Sequence, residues 1–212
     1  MATPSGATLG AAALLDRSVG YMLGALALVT PGMLDRTTPC AGWDLRTLLD
    51  HVEDGLRALA GAVTAGRVAT LGPVRPAIPA SDPAGAVRDA ARAVLEGWSA
   101  DHLRDDVEID GLPISSALVG AAGGIEVAVH GWDIARAAGW RRPVPPPLAE
   151  EMIDLLPLLL TGAHGCMYAA SVPVPEQDCA GDRLIAYLGR RPPGPVERRY
   201  LQSRAALLVA GC

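Results

Sequence analysis

Glu126 and His130 stand four residues apart in the apolar stretch running from Gly124 to Arg136. At about 100° per residue a helix sets them roughly 40° apart, with Asp133 about 20° to the other side of Glu126. The three polar groups share one narrow face, and Leu118, Ile125, Val127, Val129, Trp132 and Ile134 fill the remaining circumference. A helix that is apolar almost all round is buried among other helices. A carboxylate and an imidazole buried side by side are either a structural pair, each satisfying the other, or two ligands of one metal ion. A catalytic zinc site commonly takes three ligands of histidine and carboxylate type and leaves a fourth position open. His51 is the best candidate for the third. It lies at the edge of another helix's apolar stripe, beside the small residues Gly55, Ala58 and Ala62, which leave room for a close helix or for a ligand. Alone, His51 reads as a histidine at a helix boundary, and the Glu-x-x-x-His spacing arises by chance in many helices. The His-Glu-x-x-His arrangement, with its general-base glutamate, is absent.

The elements that must position these residues follow from periodicity. Leu15, Val19, Met22, Leu23, Leu26 and Val29 recur at steps of three and four, predicting a helix over residues 8–29 that Pro31 ends. Asp44 is an N-cap for a second helix, whose stripe is Leu45, Leu48, Leu49, Val52, Leu56, Leu59, Ala60 and Val63. Residues 66–80, with Gly72, Pro73, Pro76 and Pro79, read as a loop. Ser81-Asp82-Pro83 caps a third helix through Val87, Ala91, Val94, Leu95 and Trp98, and His102 near its end reads as a solvated histidine. Residues 107–113 are extended or a turn. The helix carrying Glu126 runs over residues 114–138, stopped by Gly139. A fifth apolar helix over 148–161 should kink or break at Pro157. Residues 162–177 read as a loop in which His164 is at the surface or leans over the pocket. Residues 178–188 read as a short helix closed by Gly189. The tail from Pro192-Pro193 includes a possible helix ending at Leu207-Leu208-Val209, packed on the domain or on a partner.

The 212 residues, 50% hydrophobic and 19% charged with a net charge of -5, describe one ordinary domain rather than a disordered or nucleic-acid-binding chain. All 18 basic residues are arginine and phenylalanine is absent, a bias that suggests a GC-rich actinobacterial genome. No signal-peptide pattern or membrane-spanning run occurs, so the expected location is cytoplasmic. Cys40, Cys166, Cys179 and Cys212 are scattered, with no C-x-x-C pair, which predicts reduced thiols and argues against a cysteine-rich zinc site. The absence of Gly-x-Gly-x-x-Gly, of a phosphate-binding loop ending in lysine and of a Gly-x-Ser-x-Gly elbow argues against nucleotide binding and serine hydrolase chemistry.

Three segments resemble a known family. Thr38-Pro39-Cys40-Ala41-Gly42-Trp43-Asp44-Leu45-Arg46, followed by Leu48-Leu49-Asp50-His51, is similar to the N-terminal signature of the mycothiol-dependent maleylpyruvate isomerase family, within the DinB-like metalloenzyme superfamily. Residues 126–139, with His130-Gly131-Trp132-Asp133-Ile134-Ala135-Arg136, resemble its second signature, and the run from Asp182 to Pro192 its closing segment. The resemblance covers about residues 8–192. It implies an all-α protein, an up-and-down four-helix bundle with additional C-terminal helices. Residues 1–192 would form the metal-binding bundle and 193–212 a tail. It also implies a divalent metal, usually zinc (Zn2+), held by His51, Glu126 and His130, the three residues already singled out, and so favours the metal over the structural pair. The metal commonly activates a low-molecular-weight thiol, mycothiol in actinobacteria, for isomerisation or S-transfer. A zinc-bound thiol loses its proton at neutral pH and adds to an electrophilic carbon, leaving after bond rotation in an isomerase and staying in a transferase.

Asp133 could orient a ligand or accept from the second ring nitrogen of His130. Arg136 either receives a substrate carboxylate or pairs with an acidic neighbour. Trp43 and Trp132 read as packing residues and Cys40 as a small buried side chain. The first functional expectation is a zinc-dependent isomerase or thiol S-transferase acting on a small electrophile, as monomer or homodimer, with no nucleic acid or membrane partner. A thiol-independent Lewis-acid cyclisation or isomerisation in specialised metabolism is the second, and a non-catalytic metal or small-molecule binding protein the third.

Overall fold

A computed structural model of the chain describes residues 4–68, 81–99, 102–109, 111–159 and 168–194. The described chain is mostly helical, with one small three-stranded sheet. In order it forms α1 (Gly6–Leu26), a 3-10 turn (Pro31–Met33), α2 (Leu45–Thr64), β1 (Arg67–Val68), α3 (Pro83–Gly97), β2 (Asp106–Ile109), β3 (Leu112–Ser115), α4 (Ser116–Ala137), α5 (Pro146–Leu159) and α6 (Ala180–Tyr187). No described helix is long and apolar enough to cross a membrane.

The caps sit where the sequence puts them. Asp44 accepts from the Thr47 amide at 2.8 Å and starts α2, and Asp82 accepts from the Gly85 amide at 2.9 Å ahead of Pro83 in α3. Gly139 follows α4 at φ 84° and Gly189 follows α6 at φ 79°, left-handed positions that glycine occupies without a Cβ clash. Helix α1 ends at Leu26 rather than near residue 29, because the Leu28 and Val29 amides bond back to Ala25 and Leu26 in a tighter turn. Helix α5 begins at Pro146 and runs through Pro157 to Leu159. Pro157 therefore does not end the helix where it stands.

The undecided segment 107–113 is a hairpin: β2 pairs antiparallel with β3, Asp106 opposite Ser115 and Ile109 opposite Leu112. Strand β1, at the start of the expected 66–80 loop, pairs parallel to β2, and the rest of that loop lies outside the described residues. Because Leu112–Ser115 is committed to β3, α4 starts at Ser116 and not at Ile114. The C-terminal tail and its expected helix also lie outside the described residues.

Two cores meet on α4. On one side Leu15, Val19, Met22, Leu48, Leu49, Leu56, Val87 and Val94 of α1 to α3 pack with Val127 and Ile134. On the other, Ile125, Val129 and Trp132 pack with Leu148, Met152 and Leu156 of α5 and Leu184, Ile185 and Leu188 around α6. Occupied on both flanks, α4 is buried along most of its length, which is why its sequence lacks a polar stripe. Helix α1 lies along α4, and Gly131 permits the contact: a Cβ there would stand 2.9 Å from the Met22 Cα.

Candidate functional site

The pitch of α4 stacks Glu126 under His130, with His130 Nε2 3.3 Å from Glu126 Oε2. One turn on, Asp133 Oδ2 lies 3.1 Å from the other ring nitrogen, Nδ1. From α2, His51 meets His130 edge to face, with ring centroids 4.9 Å apart. One ligand atom from each of His51, Glu126 and His130 falls within 4.8 Å of the others. Donors bound at about 2.0–2.2 Å to one tetrahedral zinc ion are separated by about 3.3–3.6 Å, so side-chain rotations are needed to draw these three into one coordination sphere. Two imidazoles and a carboxylate fit a divalent ion, and the exposed side of His51 leaves the cluster open to the cavity.

Cys40, His130 and Asp133 also bring ligand atoms within 4.8 Å of one another. A cation is already there. Arg190 Nη2 lies 3.0 Å from Asp133 Oδ2 and donates to Cys40 Sγ at 3.3 Å, and the Cys40 thiol donates to Asp133 at 3.2 Å. The guanidinium claims this second position, and the donors facing the cavity are the ones free for an added ion. Asp133 is fully buried between Arg190 and the imidazole, so its carboxylate fixes the ring with Nε2 turned toward Glu126.

The electrostatics of the metal-free cluster follow this arrangement. Burial presses His130 toward the neutral form, but its bonds to Asp133, Cys40 and Glu126 outweigh burial and raise its pKa well above the usual range. Burial favours protonated Glu126, yet His130, Tyr168 and His51 together hold its carboxyl below the ordinary value. Asp133 is likewise held low, against burial, by His130 and Arg190. His51 is lowered by desolvation and then by the charge of His130, which keeps its lone pairs available.

The loop before α2 supplies one wall. The Thr38 hydroxyl lies 3.0 Å from the Trp43 carbonyl and accepts from the Cys40 amide at 3.2 Å, and Gly42 turns the chain at φ 81°. This folds Cys40 toward Asp133 and sets the Trp43 ring 4.9 Å from His51 and 6.4 Å from His130. Beyond the cluster opens a cavity of about 770 Å³ between α2 and α4, with Gly55, Ala58, Ala122 and Gly123 on its lining as their small size suggests.

Tyr168 and Arg190 are site residues that the sequence reading missed. The Tyr168 hydroxyl donates to Glu126 Oε1, and burial followed by the Glu126 charge pushes its pKa up. Arg190 sits under that ring, 5.8 Å from its centroid. Tyr168 had no signal in an aperiodic segment. Arg190 directly follows the glycine that stops α6, in the segment compared with the family's closing signature, and could have been suspected there. Arg136 is not on the cavity lining: its guanidinium lies over Trp132, 5.6 Å from the ring centroid. His102 is exposed beside Ser99, and His164 lies outside the described residues. Cys40 and Cys179 are free thiols.

Helices converging on two histidines and a glutamate at the mouth of a cavity define a helical protein with a candidate metal-binding site of catalytic type. The chain belongs to the mycothiol maleylpyruvate isomerase N-terminal domain family, whose profile matches residues 15–135, more than half of it. That assignment is consistent with the DinB-like superfamily. Two uncharacterized proteins of Mycobacterium tuberculosis, Rv0738 of strain H37Rv and MT0763 of strain CDC 1551, are each 29% identical to it over 170 residues, covering 78% of this chain and 89% of theirs. No solved structure matches significantly.

Proposed function

We propose that the chain is a cytoplasmic, metal-dependent enzyme in which His51, Glu126 and His130 hold a divalent ion, zinc by donor type, and which uses a low-molecular-weight thiol such as mycothiol for isomerisation or S-transfer on a small electrophile. The observation that carries this reading is the approach of three donor atoms from α2 and α4 to within 4.8 Å at the edge of a large cavity. In this reading α1 to α4 form an up-and-down four-helix bundle, and residues 1–192 are the functional domain.

The bound ion supplies Lewis acidity, lowering the pKa of a thiol held beside the second substrate. The chain's own groups do the rest. Asp133 holds the His130 ring in place through Nδ1, and Arg190 balances the buried charge of Asp133. The Tyr168 hydroxyl fixes one oxygen of Glu126, leaving Oε2 toward the histidines. Trp43, with its ring 4.9 Å from that of His51, and the aliphatic walls bound the space beside the cluster where the substrate is held.

The test is metal analysis of the purified protein joined to turnover assays. Protein reconstituted with zinc should hold about one ion per chain, and His51→Ala should lose both the ion and thiol-dependent turnover. Failure of the native chain to retain stoichiometric metal sinks the ligand assignment. Equal turnover with and without mycothiol sinks the thiol step and moves the protein to a thiol-independent metalloenzyme.

A further inference from the structure

The far walls of the cavity hold information that the metal cluster does not use. Val52, Leu56 and Leu59 from α2, Val119 and Val127 from α4 and Ile109 from β2 line them with aliphatic carbon. Arg190 is the one arginine on the described lining, and its terminal nitrogens are committed. Nη1 donates to the Leu188 carbonyl at 2.9 Å, and Nη2 reaches Asp133 at 3.0 Å and Cys40 at 3.3 Å. Its charge is already matched by Asp133. The histidines and the carboxylate on the lining, His51, Glu126 and His130, are gathered at the metal end, with His130 Nε2 3.3 Å from Glu126 Oε2. An anionic group on the aliphatic walls would therefore lose its water with no free cation among the described wall residues to replace it, a costly transfer.

We propose that the cavity takes a small molecule with one polar, reactive head at the His51, Glu126 and His130 end and an uncharged, apolar body along the α2 and α4 walls, and that it rejects molecules whose body carries a second carboxylate. The placement of the head rests on the proposed function; the preference of the walls needs no metal. A cavity of about 770 Å³ is of the size that encloses a drug-sized molecule.

The experiment uses the full chain freed of metal, with the uncharged dye N-phenyl-1-naphthylamine as reporter. Octanoate and suberate compete for it; both have eight carbons, and suberate carries the second carboxylate. The dye should brighten on binding, and octanoate should displace it at a concentration at least tenfold lower than suberate. Ala122 and Gly55 are exposed on the cavity lining, and a Cβ at Gly55 meets nothing within 4 Å, so both positions accept a long side chain. Ala122→Arg and Gly55→Arg each add the missing cation and should bring the ratio close to one. Absence of dye binding, equal displacement by the two acids, or a ratio unchanged in both variants overturns the proposal. Failure of the metal reading shows up separately, as absence of zinc from a protein that still prefers octanoate.

Discussion

Asp133 carries two duties at once, holding His130 through Oδ2 and balancing Arg190 in a fully buried position. The duties separate on mutation. Asp133→Asn should weaken zinc affinity by about 10–100-fold through loss of the ring's carboxylate partner. It should also cost about 3–5 kcal/mol of stability, because Arg190 is left as an uncompensated buried charge. Adding Arg190→Met should restore most of the stability and none of the affinity, as read by denaturant unfolding and by competition with a chromophoric chelator. Recovery of both in the double variant would show that Asp133 acts on the site only through Arg190. The sequence made part of this legible: helical spacing put Glu126, His130 and Asp133 on one face, and small neighbours pointed to space beside His51. It could not reveal Tyr168, which enters from an irregular segment whose path is set by tertiary packing and not by any period, and for Arg190 it offered only the place just after the glycine that stops α6.

At the scale of elements, the helices were readable because amphipathic stripes and caps are local signals, and Asp44, Asp82, Gly139 and Gly189 all sit at the ends they mark. The small sheet was not read, although Asp110-Gly111 between two short runs is a hairpin signal. Its strands are four residues each and β1 only two, too short for alternation to stand out. Glycines show how the same residue means different things on different helices. Gly131→Ala should destabilise the protein by about 1–3 kcal/mol, because the new methyl meets the Met22 backbone at 2.9 Å and α1 cannot move without disturbing both cores. Gly55→Ala, with open space at its Cβ, should instead stabilise by about 0.5–1 kcal/mol through helix propensity alone. Thermal unfolding of the two variants side by side reads the contrast, and equal shifts would show that the α1 and α4 contact is not tight.

For the whole molecule, the proposed ion couples α2 to α4, so occupancy and global stability are linked, and pH sets the size of the link. In the metal-free protein His130 has a raised pKa, so its contribution to stability is fully present below about pH 6.5 and is lost as pH rises through the folded value. Glu126 and Asp133, with lowered values, contribute above the ordinary carboxylate range and lose that contribution only as pH falls through their folded values, well to the acid side. As pH rises above about 6.5 the unfolded chain gives up the proton that folded His130 still holds, so the metal-free protein loses stability up to the raised folded value. A zinc ion must displace that same proton, so zinc affinity climbs over this window while the metal-free protein weakens. The difference in Tm between zinc-loaded and metal-free protein should then widen with pH. With free zinc at one hundred times Kd the gain is about 2.7 kcal/mol, on the order of 5–10 °C for a chain of this size. His51→Ala should flatten the dependence by removing the zinc-induced shift at every pH. A shift that stays constant across the window in the native chain would mean that the ion does not compete for His130, and that the cluster on α4 is the structural pair after all.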